Sequence, residues 1–289
     1  MTSNPLKVYT SANLHGARMV MGFSGWMDGG EVSTGTIETL VNKLGAEVLA
    51  EIDSQDFYIF SFPGSMELSA LFRPHVKIAD GLITAFQEPT NTFYSSEGEK
   101  LILFAGKEPN LAWERYADCV FSVVRRFGVS AIYFIGSVAG LVPHTREPRM
   151  FASVSDAGLK AQLEPLRVRF SNYEGPGSFV TYLTRRAAEE KVPMISFVGE
   201  IPAYVQGRNP TCIEAATRHL AGFLGVQVSL DDLKALGSEL RKRLDEVVHK
   251  HPELVERIRG LEEDYDNDVF DTEMGDLKSW LQEKGIRLD

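Results

Sequence analysis

Several short segments of this 289-residue chain are apolar almost without interruption, and that constrains the fold more than any other feature of it. The runs at 101–105 (Leu-Ile-Leu-Phe-Ala), 131–136 (Ala-Ile-Tyr-Phe-Ile-Gly) and 194–198 (Met-Ile-Ser-Phe-Val) lack the apolar/polar alternation of a strand with one wet face. Such strands must be covered on both sides, as in a mostly parallel sheet lying between helices. Further runs at 18–23, 47–52, 57–62 and 76–86 are rich in β-branched, aromatic and aliphatic residues and are bounded by turn residues. All seven read as strands.

The segments between them carry helix starts and stops. Trp113, Tyr116, Ala117, Val120, Phe121 and Val124 recur at steps of three and four behind a candidate cap at Asn110, and Gly128 ends the run. A helix over 178–191 is expected to bury Phe179, Val180, Leu183 and Ala187 before Val192 and Pro193 stop it. Asn209 and Pro210 supply a cap and an N1 proline for another, with Ile213, Ala216, Leu220 and Leu224 inside and Gly225 at its end. Strands alternating with helices place the chain in the α/β class.

Composition serves to exclude. With 44% hydrophobic residues, the chain has the means to build a large core, burying roughly 75% of the surface it exposes unfolded. A net charge of -10 argues against nucleic acid and against an anionic membrane as partners. Cys119 and Cys212 stand far apart with no metal-ligand spacing, so neither a disulfide framework nor a metal site is expected, and a reducing cytoplasm fits. The first seven residues lack the features of a secretory signal, and 131–143 is too short and glycine-rich to span a bilayer.

Charge is distributed unevenly. Residues 229–289 hold 17 acidic and 10 basic side chains, so most of the net negative charge sits in the last fifth of the chain. Leu233, Leu240, Leu244, Val247, Leu254, Ile258, Leu261 and Tyr265 follow helical spacing there, with Ser229 and Asp232 placed like a capping box and His251-Pro252 as a break. A third short helix is expected around 276–284. The chain is thus read as a core of 1–228 and an acidic helical region of 229–289.

For chemistry, the most distinctive stretch is Met21-Gly-Phe-Ser-Gly-Trp-Met-Asp-Gly-Gly-Glu31, between a strand and a helix. A glycine-rich turn at a helix start invites a phosphate reading, but the stretch matches no nucleotide-binding pattern and contains no lysine. Asp28 and Glu31 are instead placed to cap the helix and fill its positive end with carboxylates. Ser24 sits one residue short of a nucleophile elbow, and His144 is the histidine in a loop expected at the same sheet edge. If the sheet is parallel, its carboxyl edge gathers Ser24, Trp26, Asp28 and Glu31 from one loop, His144, Arg146 and Arg149 from a second, and Glu200, Tyr204 and Arg208 from a third. That mixture suits a polar pocket or a subunit interface rich in Trp, Tyr and Arg. No cofactor is implied.

These motifs together resemble a known family. Gly25-Trp-Met-Asp-Gly-Gly-Glu31, Ile135-Gly-Ser-Val-Ala-Gly140 with Pro143 to Arg146, Tyr173-Glu-Gly-Pro-Gly177, and Val198-Gly-Glu-Ile-Pro-Ala-Tyr-Val205 with Asn209-Pro210 occur in the order seen in the proteasome assembly chaperone family of the second type, in its actinobacterial and archaeal branch. The resemblance implies a three-layer α/β/α sandwich like that of nucleoside phosphorylases and related hydrolases, a self-associating subunit with a trimer favoured, and no established catalytic residues. For archaeal and eukaryotic relatives it implies a role in assembling the 20S proteasome. Two departures stand out. Asp28-Gly29-Gly30 replaces the usual Asp-Ala-Gly, and the chain ends Ile286-Arg287-Leu288-Asp289 where archaeal members carry a hydrophobic-Tyr-any tail, so docking by that route is not expected. The expectation is a non-enzymatic protein-binding or assembly factor acting on itself and on proteasome subunits or another protein; the alternative is a phosphorylase- or hydrolase-type enzyme working on a small substrate at the carboxyl edge.

Overall fold

The uninterrupted apolar runs lie side by side in the middle of one sheet, as the lack of a polar face requires. A computed structural model of the chain describes residues 4–70, 72–166 and 168–283. In chain order the elements are β1 (Leu6–Val8), β2 (Arg18–Ser24), α1 (Val32–Leu44), β3 (Glu47–Ile52), the short α2 (Met66–Ala70), β4 (His75–Ala79), β5 (Leu82–Gln87), β6 (Thr92–Ser96) and β7 (Leu101–Lys107). Then follow α3 (Trp113–Phe127), β8 (Ala131–Gly140), β9 (Arg149–Val154), β10 (Arg169–Phe170), α4 (Phe179–Glu189), β11 (Met194–Pro202), α5 (Pro210–Leu224), α6 (Asp231–His249) and α7 (Pro252–Glu283).

Nine strands form the main sheet in the order β1-β3-β6-β7-β2-β8-β11-β9-β10. The four central strands β7, β2, β8 and β11 are mutually parallel; β6 and β9 flank them antiparallel. Two apolar layers result. On one face Met19, Met21, Phe104, Phe134 and Met194 pack against Tyr116, Phe121, Phe179 and Leu183 of α3 and α4. On the other, Val20, Leu103, Ile135 and Phe197 meet Ile37 and Leu40 of α1 and Ile213 and Leu220 of α5. This is the expected α/β/α sandwich. Gly22 makes the close approach of α1 possible, since a Cβ there would stand 2.6 Å from the Ser33 carbonyl oxygen and from Ile37 Cγ1.

The strands differ from expectation in instructive ways. Residues 57–62 form no strand: Phe57 is buried, but its carbonyl accepts from the N–H groups of Asn110 and Leu111 and so has no ladder partner. The run 76–86 folds as the antiparallel hairpin β4–β5, because Asp80 (φ 51°) and Gly81 (φ 78°) supply the two left-handed residues of a tight reverse turn. Strands β1, β6, β9 and β10 were not anticipated.

Helix ends differ too. Ala112, not Asn110, stands at the start of α3, and Asn110 Oδ1 accepts from the Ile59 N–H. No box forms between Ser229 and Asp232; the serine bonds Asp231, and Asp232 pairs with Lys43 at 2.8 Å. In place of a separate short helix around 276–284, α7 runs unbroken to Glu283, and the last residues, with the Ile286-Arg287-Leu288-Asp289 end, lie outside the described residues. Asn209 caps α5 as expected, accepting from the Cys212 N–H at 3.1 Å.

Candidate functional site

The carboxyl ends of β2, β8 and β11 define one edge of the sheet, and each predicted site residue lies at or near it. The first loop is spent on architecture. Both oxygens of Asp28 serve the first turn of α1, one accepting from the Thr34 N–H (3.1 Å) and the other from the Thr34 hydroxyl (2.8 Å). Burial raises the Asp28 pKa, against the pull of those hydrogen bonds. Glu31 takes no part in the cap; it adopts a left-handed backbone (φ 55°) and pairs with Arg208 at 3.1 Å, while Arg208 also reaches Glu38. Gly30 sits at φ 63° with the Asn209 N–H donating to its carbonyl, and Gly29, which stands where the family resemblance has alanine, is held by a 2.6 Å bond from the Ser137 hydroxyl of β8 to its carbonyl. Trp26 projects, 66% exposed, its N–H held by Glu108. Ser24 closes β2 and accepts the Glu108 N–H at its carbonyl.

The second and third groups converge, His144, Arg146, Tyr204 and Arg208 from loops as expected, Arg149 and Glu200 from strands. The β8–β11 ladder continues through Glu200 opposite Val138, so Glu200 is a strand residue, and Arg149 begins β9 directly opposite it. Their charged groups stand 3.6 Å apart. His144 has a side chain only 5% exposed. Its backbone N–H donates to the Tyr204 hydroxyl, which also lies 2.7 Å from Nδ1, and Nε2 lies 3.1 Å from Asp245 of α6. Because the tyrosine oxygen already accepts from the backbone, the network assigns its proton to Nδ1 and leaves Nε2–H for Asp245. Neither ring nitrogen is available to Ser24, so no serine–histidine pair forms.

Glu38 and Glu108 aside, the partners that the sequence did not reveal are in the acidic region. Asp266 of α7 takes Arg146 in a bidentate grip, 2.8 Å at each oxygen, and Glu262 accepts from the Thr145 hydroxyl and stands 3.4 Å from Arg146. Asp268 lies 3.1 Å from Arg149 and 2.6 Å from Arg169, and the Arg149 guanidinium rests 4.5 Å above the Tyr265 ring. The hydrogen bond from Arg146 holds the Asp266 carboxyl below the usual range. The excess of acid after residue 228, beside an arginine-rich segment at 146–149, was the available signal.

Two cavities open near this edge, a tight one of about 20 Å³ lined by His144, Arg146, Asn209 and Cys212, and one of 260 Å³ on the α4 side, floored by Ser153, Ser196 and Val198 and walled by Met27, Val180 and Thr184. Among the described residues the lining of the larger brings no carboxylate, imidazole or thiol. Both thiols are buried and inert, burial pushing Cys212, beside the tight cavity, up to about 12 and Cys119 up to about 11. Among the described residues no group of three His, Cys, Asp or Glu side chains is placed to hold a metal ion, and no helix is long and apolar enough to cross a membrane.

Comparison with known proteins places this geometry. A model of the PAC2 family matches residues 22–248. A Mycobacterium tuberculosis protein of unknown function is 23% identical, with 96% of this chain and 94% of that one covered and a TM-score of 0.83. A Streptomyces avermitilis PAC2 family protein is 27% identical over 83% of this chain and 98% of that one, with a TM-score of 0.70. The proteasome-assembly chaperone homologue of Mycobacterium tuberculosis is 24% identical over 83% and 99%, at 0.72. Comparison with curated proteins gave no match.

Proposed function

Since this chain belongs to the PAC2 family, we propose that it is a non-enzymatic factor that binds and helps assemble other protein subunits, proteasome subunits being the first candidates, and that it acts as a self-associating protein of the cytoplasm. The observation that carries the reading is the pairing at the carboxyl edge. Every titratable group there that an enzyme could use is committed: Asp28 to its helix, His144 to Tyr204 and Asp245, Arg146 to Asp266, and Glu200 to Arg149. The larger cavity beside them offers hydroxyls without a base, and a serine or threonine needs one to become a nucleophile. In the same reading residues 1–228 are the structural core and 229–289 the region that governs access to partners.

Self-association is supported by a surface that the chain leaves uncovered. On one face of the β4–β5 hairpin Val76 stands opposite Phe86 and Ile78 opposite Ile83, all four exposed, Ile78 at 62% and Ile83 at 67%. A two-stranded hairpin in water is marginal, and an apolar face of this kind calls for a partner. The hairpin carries one lysine and one aspartate, so copies of a chain of charge -10 meet there with little repulsion.

Affinity capture of the full chain from its own cells, with identification of what co-purifies, tests the function; stoichiometric recovery of proteasome subunits supports it. Turnover of a small substrate that disappears in a stably folded Glu200→Gln variant overturns it. For self-association, light scattering should give a mass well above 32.1 kDa and a monomer for Ile78→Lys combined with Ile83→Lys. A monomeric wild-type chain refutes that part.

A further inference from the structure

Through residue 270 no apolar side chain of α7 joins either buried layer of the core; Leu254, Ile258, Leu261 and Val269 are only half-buried. Between residues 252 and 270 no side chain is buried, whereas α6 buries Leu233 and Gly237 against the layer beneath it. The contacts of α7 are instead polar: Glu262 with Thr145 and Arg146, Asp266 with Arg146, Asp268 with Arg149 and Arg169, the Tyr265 ring under Arg149 and its hydroxyl donating to the Glu147 carbonyl. Partly exposed ion pairs of this kind weaken as salt shortens the screening length from about 10 Å at 0.1 M to about 3 Å at 1 M.

Taken with the charge distribution, this geometry has a specific meaning. Arg146, Arg149 and Arg169 form a cationic row on a chain of net charge -10, and α7 supplies carboxylates to all three, Glu200 of β11 standing beside Arg149 as well. We propose that this row is a docking surface for an acidic helical segment of a partner protein, and that α7 is its resident occupant, displaced when such a segment binds. The inference rests on the protein-binding reading above. An incoming helix with carboxylates four residues apart and an aromatic ring between them replaces each pair it breaks, so the exchange leaves no arginine uncompensated. Charge steers the encounter, and the aromatic seat against Arg149 gives it register.

The test uses the full chain and a labelled synthetic peptide of residues 252–270 as the acidic helix. In a variant with Glu262→Gln, Asp266→Asn and Asp268→Asn, hydrogen exchange of α7 amides should rise at least tenfold while α5 amides stay protected. That variant should bind the peptide at least tenfold more tightly than wild type, and binding should vanish when the peptide carries the same three replacements. The wild-type chain moved from 0.05 M to 1 M salt should show the same faster exchange in α7 alone, a readout independent of how well the variant folds. Unchanged α7 exchange in salt overturns the inference, as does a variant with α7 released but no gain in peptide binding. A duplex oligonucleotide that displaces α7 as well as the peptide does overturns it too, because the row would then be a general polyanion surface. Capture of partners through another face leaves the protein-binding function standing while this inference fails.

Discussion

Helices α1 and α7 both bring carboxylates to the carboxyl edge of the sheet, yet they are attached by opposite means. α1 buries Val32, Ser33, Gly35, Thr36, Ile37, Thr39 and Leu40, and Asp28, in the loop before it, turns its carboxylate to the helix's first turn. Through residue 270, α7 buries no side chain fully and turns Glu262, Asp266 and Asp268 to arginines of the core. The comparison separates two kinds of helix: one whose removal destroys the fold, and one that salt or competition can lift.

The sharpest way to break that contrast is by truncation of matched residues. Ile37→Ala should cost about 2–5 kcal/mol in chemical denaturation, the range for a fully buried large-to-small change. Ile258→Ala on α7 should cost under about 1 kcal/mol. Similar losses at both positions would put α7 in the core. Next in size is Asp28→Ala, which removes the cap of α1 and should lower stability by about 1 kcal/mol. Asp28 also has a pH signature. Its folded-state pKa lies above the ordinary 3.8, so its protonated form favours the fold; that contribution is present at low pH and is lost as pH rises through the folded value. Asp28→Asn should flatten this part of the stability–pH curve, and an unchanged curve would place the cause elsewhere. The smallest effect belongs to Asp266→Ala, on an exposed carboxylate. Global unfolding should barely change, while α7 amides exchange faster at low salt and the difference from wild type disappears at 1 M.

Much of the sheet was legible before any coordinates, but only in one direction. Strands β2, β3, β7, β8 and β11 all run the same way, and each was found from its apolar run. The four strands that were missed, β1, β6, β9 and β10, all run opposite to them. They are short, or carry Thr, Ser and Arg, because neighbouring strands and loops rather than two helical layers complete their surroundings. The site divided similarly. His144, Arg146, Arg149, Glu200 and Tyr204 were placed together at one edge from strand order alone. Their partners Asp245, Glu262, Asp266 and Asp268 lie about a hundred residues further along, and no local pattern couples a carboxylate on one helix to an arginine on a distant strand.

Hydrophobic periodicity, caps such as Asn209 and stops such as Gly128 and Gly225 were enough to determine a layered α/β chain with an acidic helical end, since these act over a few residues and burial depends on residue type. Which charges meet, that α7 closes over the arginine row, and that the β4–β5 face stays bare were decided by tertiary structure. Ion pairing and surface exposure depend on distances through space, which chain order does not encode.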